Sequence, residues 1–179
     1  NTEILKIGQN IKYDMEVLMS YGVRLAAPMF DTMLAHYVLQ PEQKHNMDIL
    51  AETLLNYQTI HIDELIGPKG KSQKNMRDLS PADICDYAAE DADITLRLYN
   101  VLKPRLKEAD VEDLFYNIEM PLVPVLAEME MNGVLLDTNA LAETSKVLTE
   151  RMKQIEKEIY DLAGHEFNIA SPKQVGVGR

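Results

Sequence analysis

The sequence has 179 residues, 46% hydrophobic and 26% charged, with a formal net charge of −11 at pH 7. These proportions belong to a soluble globular protein and not a disordered one, and the length suits one good core, or one domain with part of another. No run of about eighteen apolar residues is present to span a membrane, Asn1-Thr2-Glu3 has no secretory-leader pattern, and the single cysteine, Cys85, excludes an internal disulfide and suits a reducing cytoplasm.

Ile4 to Gly8 is a short apolar run ending at glycine and predicts a buried strand. Asn10 then predicts the cap of a helix ending near Gly22. Val23 to Phe30 is a second strand candidate. Asp31 is the expected cap of a helix reaching about Leu39 and stopped by Pro41. Asp48 to Asn56 predicts a helix with Leu50, Leu54 and Leu55 on one face, and residues 57–79, broken by Gly67-Pro68 and Gly70, read as loop.

Ser80, Pro81 and Asp83 form a strong helix start: a hydroxyl cap, a proline at the first position and a carboxylate in the first turn. This helix is expected to reach Leu102 or beyond, with Pro104 as the place for a kink. Its core face is read from Ile84, Ala88, Leu96 and Leu98, and Cys85 as a small residue near the core. Val111 to Asn132 is helical by pattern, kinked by Pro121 and Pro124 and ended by Gly133. The last long helix is expected over Asn139 to Ala163, closed by Gly164. Leu141, Leu148, Ile155 and Leu162 recur there at heptad spacing, with Met152 and Ile159 between them, a stripe that wants a partner surface. Helix outweighs strand, and the chain is expected to be mostly α with a sheet of at most two or three strands.

The acidic charge argues against a broad duplex-binding surface, because such surfaces neutralise phosphates with lysine and arginine. It leaves room for a nuclease pocket, where metal ions bridge carboxylates to phosphate. Lys69, Lys71, Lys74 and Arg77 are a local basic exception and read as a solvated loop. Within Tyr87-Ala88-Ala89-Glu90-Asp91, the phenol and the last carboxylate share one helix face, one turn apart. A second carboxylate, Asp14, closes Gly8-Gln9-Asn10-Ile11-Lys12-Tyr13-Asp14 just after the first strand. Two-metal phosphodiester hydrolysis needs several carboxylates around ions about 4 Å apart, and Asp14 and Asp91 are the candidates, with Tyr87 to orient water. Singly, each aspartate reads more readily as a solvated residue of a helix.

Gly8–Asp14, Phe30–Leu34 and Tyr87–Thr95, followed by Ile118–Glu130, Asn132-Gly133-Val134 and Asp137, together resemble family A bacterial DNA polymerases. The likeness runs from the 3′–5′ proofreading exonuclease into the start of the polymerase thumb, to which Glu166–Asn168 and Ser171–Gln174 are similar. It covers Ile4 to about Val175. The resemblance implies a mostly α chain with a small remnant of an α/β ribonuclease H-like sheet, excerpted from a larger multidomain enzyme. Residues 1–110 would be the later part of the exonuclease domain, and 111–179 a linker helix and the beginning of the thumb. It implies Asp14 and Asp91 as magnesium ligands, with Tyr87 as the water-orienting member of the catalytic set. Gln9, Asn10 and Tyr13 would lie near a frayed DNA 3′ end, and Lys44, before His45, would touch phosphate. Mg²⁺ and DNA, as a single-stranded 3′ end and a primer-template, are the implied cofactor and partner, in replication and repair, with no membrane role.

Two departures from that pattern carry consequences. The Asp-x-Glu pair of the first motif is absent from these residues, and Ile62 stands where the family has an aromatic side chain against a terminal base, a stacking worth about 1–3 kcal/mol. This chain alone is therefore expected to hold Mg²⁺ poorly and to show little or no activity. A strand edge at Ile4–Gly8 lacking its partners, with the stripe at 139–163, leads us to expect a homodimer. An RNA-trimming 3′–5′ exonuclease of the same superfamily, or a non-catalytic helical interaction module, are the alternatives.

Overall fold

The computed structural model describes residues 1–177 and forms two compact units, Asn1–Gly133 and a second beginning at Val134. The first unit is helical around a two-stranded parallel sheet. Strand β1 (Lys6–Gly8) pairs in register with β2 (Met29–Asp31), Ile7 opposite Phe30 and Gly8 opposite Asp31. The second strand starts later than the expected Val23, because Pro28 has no N–H to give to a ladder and only its carbonyl takes part, accepting from the Lys6 N–H at 3.1 Å.

Helix α1 (Ile11–Ser20) joins the two strands and α2 (Thr32–Leu39) follows β2 directly. Asn10 does stand at the head of α1, but it is left-handed (φ 62°) and its side chain makes no capping bond. Helix α3 (Met47–Leu55) ends at a left-handed Asn56. The expected loop at 57–79 contains a short helix, α4 (Ile62–Ile66), and a 3₁₀ turn at Met76–Asp78. Helix α4 opens without a strong capping residue; the Glu64 carboxylate accepts the His61 N–H at 3.2 Å instead.

Helix α5 (Pro81–Glu108) opens with the reciprocal bonds of a capping box, Ser80 N–H to Asp83 at 3.2 Å and Asp83 N–H to the Ser80 hydroxyl at 3.3 Å. It runs on through Pro104. Its buried face is Ile94, Thr95, Leu98, Leu102 and Leu106, which corrects the expected one. Residues two apart lie about 200° round a helix, so Leu96 cannot share a face with Leu98 and is half exposed, while Ala88 is exposed too. Cys85 is likewise exposed.

The block after Val111 is one bent helix: α6 (Glu112–Leu114), a π turn at Phe115–Glu119, and α7 (Met120–Asn132), closed by Gly133 at φ 69°. The π turn lies just before Pro121, whose missing N–H leaves the Asn117 carbonyl without its α-helical donor. Helix α7 packs on α1, and α2 and α3 pack on α5, so residues up to 133 share one core although the expected functional boundary lies near 110. Phe30 sits at its centre, fully buried, edge-on to Tyr99 at 4.8 Å and beside Phe115 at 4.9 Å.

In the second unit, α8 (Thr138–Ala163) starts from Asp137, whose carboxylate accepts the Asn139 and Ala140 N–H groups, and closes at a left-handed Gly164. The Tyr160 hydroxyl donates to the Phe167 carbonyl at 2.9 Å, and α9 (Pro172–Val177) follows. Among the described residues, no helix is long and apolar enough to cross a membrane.

Candidate active site

Both strands end at the same place, and the residues that follow them carry the chemistry. Ligands of open α/β sheets bind outside the carboxyl ends of parallel strands, where helix N-termini gather. Gly8 ends β1 and Asp31 ends β2. Gly8 is needed for contact, since a Cβ there would fall 2.9 Å from the Ile11 Cβ. This close approach brings α1 hard against β1.

A cleft of about 470 Å³ opens at this point, and Asp14 from α1 and Asp91 from α5 both line it, with Gln9, Met47, Ala88 and Thr95. The two aspartates singled out from separate motifs thus share one cavity. Leu96, expected in the core, is on its wall as well. Desolvation raises the pKa of Asp91, while hydrogen bonding with Tyr87 pulls it down. Tyr87 is raised in turn, by burial first and then by the charge of Asp91. Asp14 stands near the surface, yet partial desolvation raises its carboxyl, and the Asp31 charge adds to this.

The other expected residues are placed with varying closeness. Gln9 lines the cleft, but the protein uses both ends of its amide: Nε2 donates to the His45 carbonyl at 2.7 Å and Oε1 accepts from the Thr32 hydroxyl. Asn10 turns the chain from β1 into α1. Tyr13 is 62% exposed beside Asp14. Lys44 is exposed and is not on the cleft wall; its neighbour His45 accepts the Gln9 amide through its carbonyl.

Three carboxylates that sequence reasoning passed over support the site. Asp31, 3% exposed, accepts four backbone N–H groups: Asn10 at 3.1 Å, Ile11 at 2.8 Å, Met33 at 2.9 Å and Leu34 at 3.2 Å. Burial raises its pKa against the downward pull of those bonds. Asp48 accepts from the Thr59 hydroxyl at 2.7 Å, pairs with His61 at 3.3 Å, and its charge contributes to raising Tyr87 and Asp91. Glu90 ties the same 57–61 segment from the other side. Only Asp31 left a trace in the sequence, as the cap of α2; the others act across gaps that no local pattern spans.

Carboxylate oxygens on one cleft are the right donor type for a hard cation such as Mg²⁺. The donor number falls short: among the described residues, no group of three or more His, Cys, Asp or Glu is arranged to hold a metal ion. Two aspartates do not make a two-ion site.

Residues 1–107 match the family described as 3′–5′ exonuclease. The chain is 44% identical to DNA polymerase I of Pseudomonas aeruginosa over 96% of its own length and 19% of that protein. It is likewise 44% identical to DNA polymerase I of Rhizobium leguminosarum, over 97% of its length and 17% of the relative. It thus spans less than a fifth of these relatives. Among solved structures, it shares a fold with the POL domain of Pol1 from M. smegmatis in complex with DNA primer-template and dNTP. That likeness has a TM-score of 0.75 at 24% identity, over 94% of this chain and 26% of the other.

Proposed function

The chain belongs to the 3′–5′ exonuclease family of DNA polymerase I, and from that premise we propose that it supplies half of a proofreading site that removes nucleotides from a DNA 3′ end. The observation that carries this reading is the cleft shared by Asp14 and Asp91, with Tyr87 one helical turn before the second of them. The small parallel sheet with its helices is in keeping with a ribonuclease H-like origin. Residues 1–110 are proposed as exonuclease, and 111–179 as linker and the start of a polymerase thumb.

In a complete enzyme, Mg²⁺ would supply an activated water and stabilise the leaving oxygen. Further carboxylates outside these residues are needed to hold it. The work of this chain is more limited. Asp14 and Asp91 present anionic oxygens to the cleft; Tyr87, one turn before Asp91, orients the attacking water. Gln9, Asn10 and Tyr13 face the frayed 3′ strand, and Lys44 meets its phosphate. Template-directed synthesis, primer-template binding and a cytoplasmic setting belong to the same proposal, as does a homodimer of this chain on its own.

The test is degradation of an end-labelled single strand by the complete enzyme carrying Asp14→Ala or Asp91→Ala. Both variants are expected to lose 3′–5′ degradation and keep nucleotide addition. Parental degradation by either one overturns the role given to that residue.

A further inference from the structure

Asp31 is almost wholly buried and does not line the cleft, yet its carboxylate joins the two helices that begin at the ends of the strands. Oδ1 accepts the N–H groups of Asn10, Met33 and Leu34, and Oδ2 accepts that of Ile11. One side chain therefore satisfies first-turn donors of α2, as a local cap does, and of α1, twenty residues back along the chain. The left-handed Asn10 is what turns two successive N–H groups toward the same carboxylate. Ile11, whose N–H donates the shorter of the two bonds from α1, is itself buried and wedged against Gly8.

We infer that Asp31 is a positioning residue for the exonuclease reaction: by clamping the first turn of α1 against the sheet, it sets where Asp14 stands in the cleft. Asp14 lies in that same first turn, so a tilt at Ile11 passes to it directly. The residue at the head of α1, Asn10, gives it no side-chain cap. The α2 half of the bonds is an ordinary local cap. The half that reaches α1 is the part with a consequence for chemistry. The inference rests on the role proposed above for Asp14.

Two substitutions separate the halves. In Asp31→Asn, the amide oxygen can replace Oδ1 and keep three bonds, which places the NH₂ against the Ile11 N–H and releases α1 there. In Asp31→Ser, the hydroxyl still caps α2 well but is too short to reach Ile11. Both are measured in the complete enzyme for degradation of a labelled single strand, with DNA and Mg²⁺ concentrations varied separately. A misplacement of about 1 Å can cost on the order of 10²-fold in rate, and a loss of that order in kcat is expected for both variants. The DNA KM should change little, the half-saturating Mg²⁺ concentration should rise, and polymerisation should stay intact. Hydrogen exchange should quicken at the Ile11 amide and not at Met33 or Leu34.

Parental kcat and Mg²⁺ dependence in both variants, with Asp14→Ala inactive, would overturn the inference and leave the proposed site standing. So would a loss of rate that tracks the folded fraction with Mg²⁺ dependence unchanged. Full degradation by Asp14→Ala would instead remove the reading on which the inference rests, and the inference with it.

Discussion

Tyr57 and Glu90 are joined by a 2.7 Å hydrogen bond, the phenol donating to the carboxylate next to Asp91. The other oxygen of Glu90 accepts the Ile60 N–H, also at 2.7 Å, and the Arg97 guanidinium lies 5.2 Å from the centre of the Tyr57 ring. The helix that carries Tyr87 and Asp91 thus holds the segment leading into α4 through the residue between them.

Removing that anchor should loosen the segment. In Glu90→Ala the partly buried Ile60 N–H loses its partner, a loss worth about 1–3 kcal/mol. We expect faster hydrogen exchange at Ile60 and faster proteolytic cleavage between residues 57 and 66, and exchange as slow as in the parent would contradict the anchoring role.

Tyr87→Phe is expected to slow 3′–5′ degradation by roughly 10–100-fold in the complete enzyme, the usual range for losing a polar group that supports a metal ligand or its water. Asp91→Ala should be more severe, because it removes the carboxylate itself. Single-turnover rates on a labelled strand rank the two, and the opposite order would reverse their assigned roles.

His36 supplies a pH dependence. It is 2% exposed, its Nδ1 lies 2.7 Å from that of His45, and burial, then the charges of His45 and Arg105, lower its pKa from 6.5. A histidine whose pKa is lowered by folding binds protons more readily when unfolded. Its contribution is complete above pH 6.5 and is lost as the pH falls below that value toward the folded pKa. Thermal midpoints should therefore decline below that point more steeply in the parent than in His36→Asn. Parallel curves would show that His36 does not contribute.

For the chain by itself, little or no magnesium-dependent shortening of a labelled strand is expected, since Mg²⁺ demands near-octahedral oxygen coordination and gives up water reluctantly. Shortening by the purified chain that Asp91→Ala removes would show that the two aspartates suffice.

Self-association is expected at micromolar concentration. Within the described residues β1 pairs only with β2, Ile4 and Leu5 beside it are exposed, and no residue of α8 is buried. Charge repulsion between copies is screened within about 8 Å at physiological salt. Sedimentation should show a dimer that weakens when Leu148 and Ile155 are made polar, and a monomer indifferent to those changes would refute it.

Features written in neighbouring residues were legible in the sequence. The capping box of Ser80 and Asp83, the cap at Asp31 and the stop at Gly133 all use bonds that close within one turn, and each stands where expected. Asp14 and Asp91 were legible through their motifs, although only folding brings them to one cleft. What escaped was long-range or steric. Asn10 has the residue type of a cap, but the acceptor for α1 comes from Asp31. The segment from Val23 looks like a strand until Pro28 is asked for an N–H. Ala88 and Leu96 wall a cleft, and composition alone does not tell a cleft wall from a core.

The π turn at Phe115–Glu119 has a consequence for how this helix can change length. Phe115, Met120, Val123 and Ala127 are all buried, and the step from Phe115 to Met120 is one residue longer than an α-helical step. The turn therefore holds a spare residue. A deletion between Tyr116 and Glu119 would bring Phe115 and Met120 to an α-helical spacing and still present the same seam. The same deletion between Val123 and Ala127 would rotate one part of the seam against the other by about 100°. A one-residue change in the length of this helix is therefore expected to cost least in this turn.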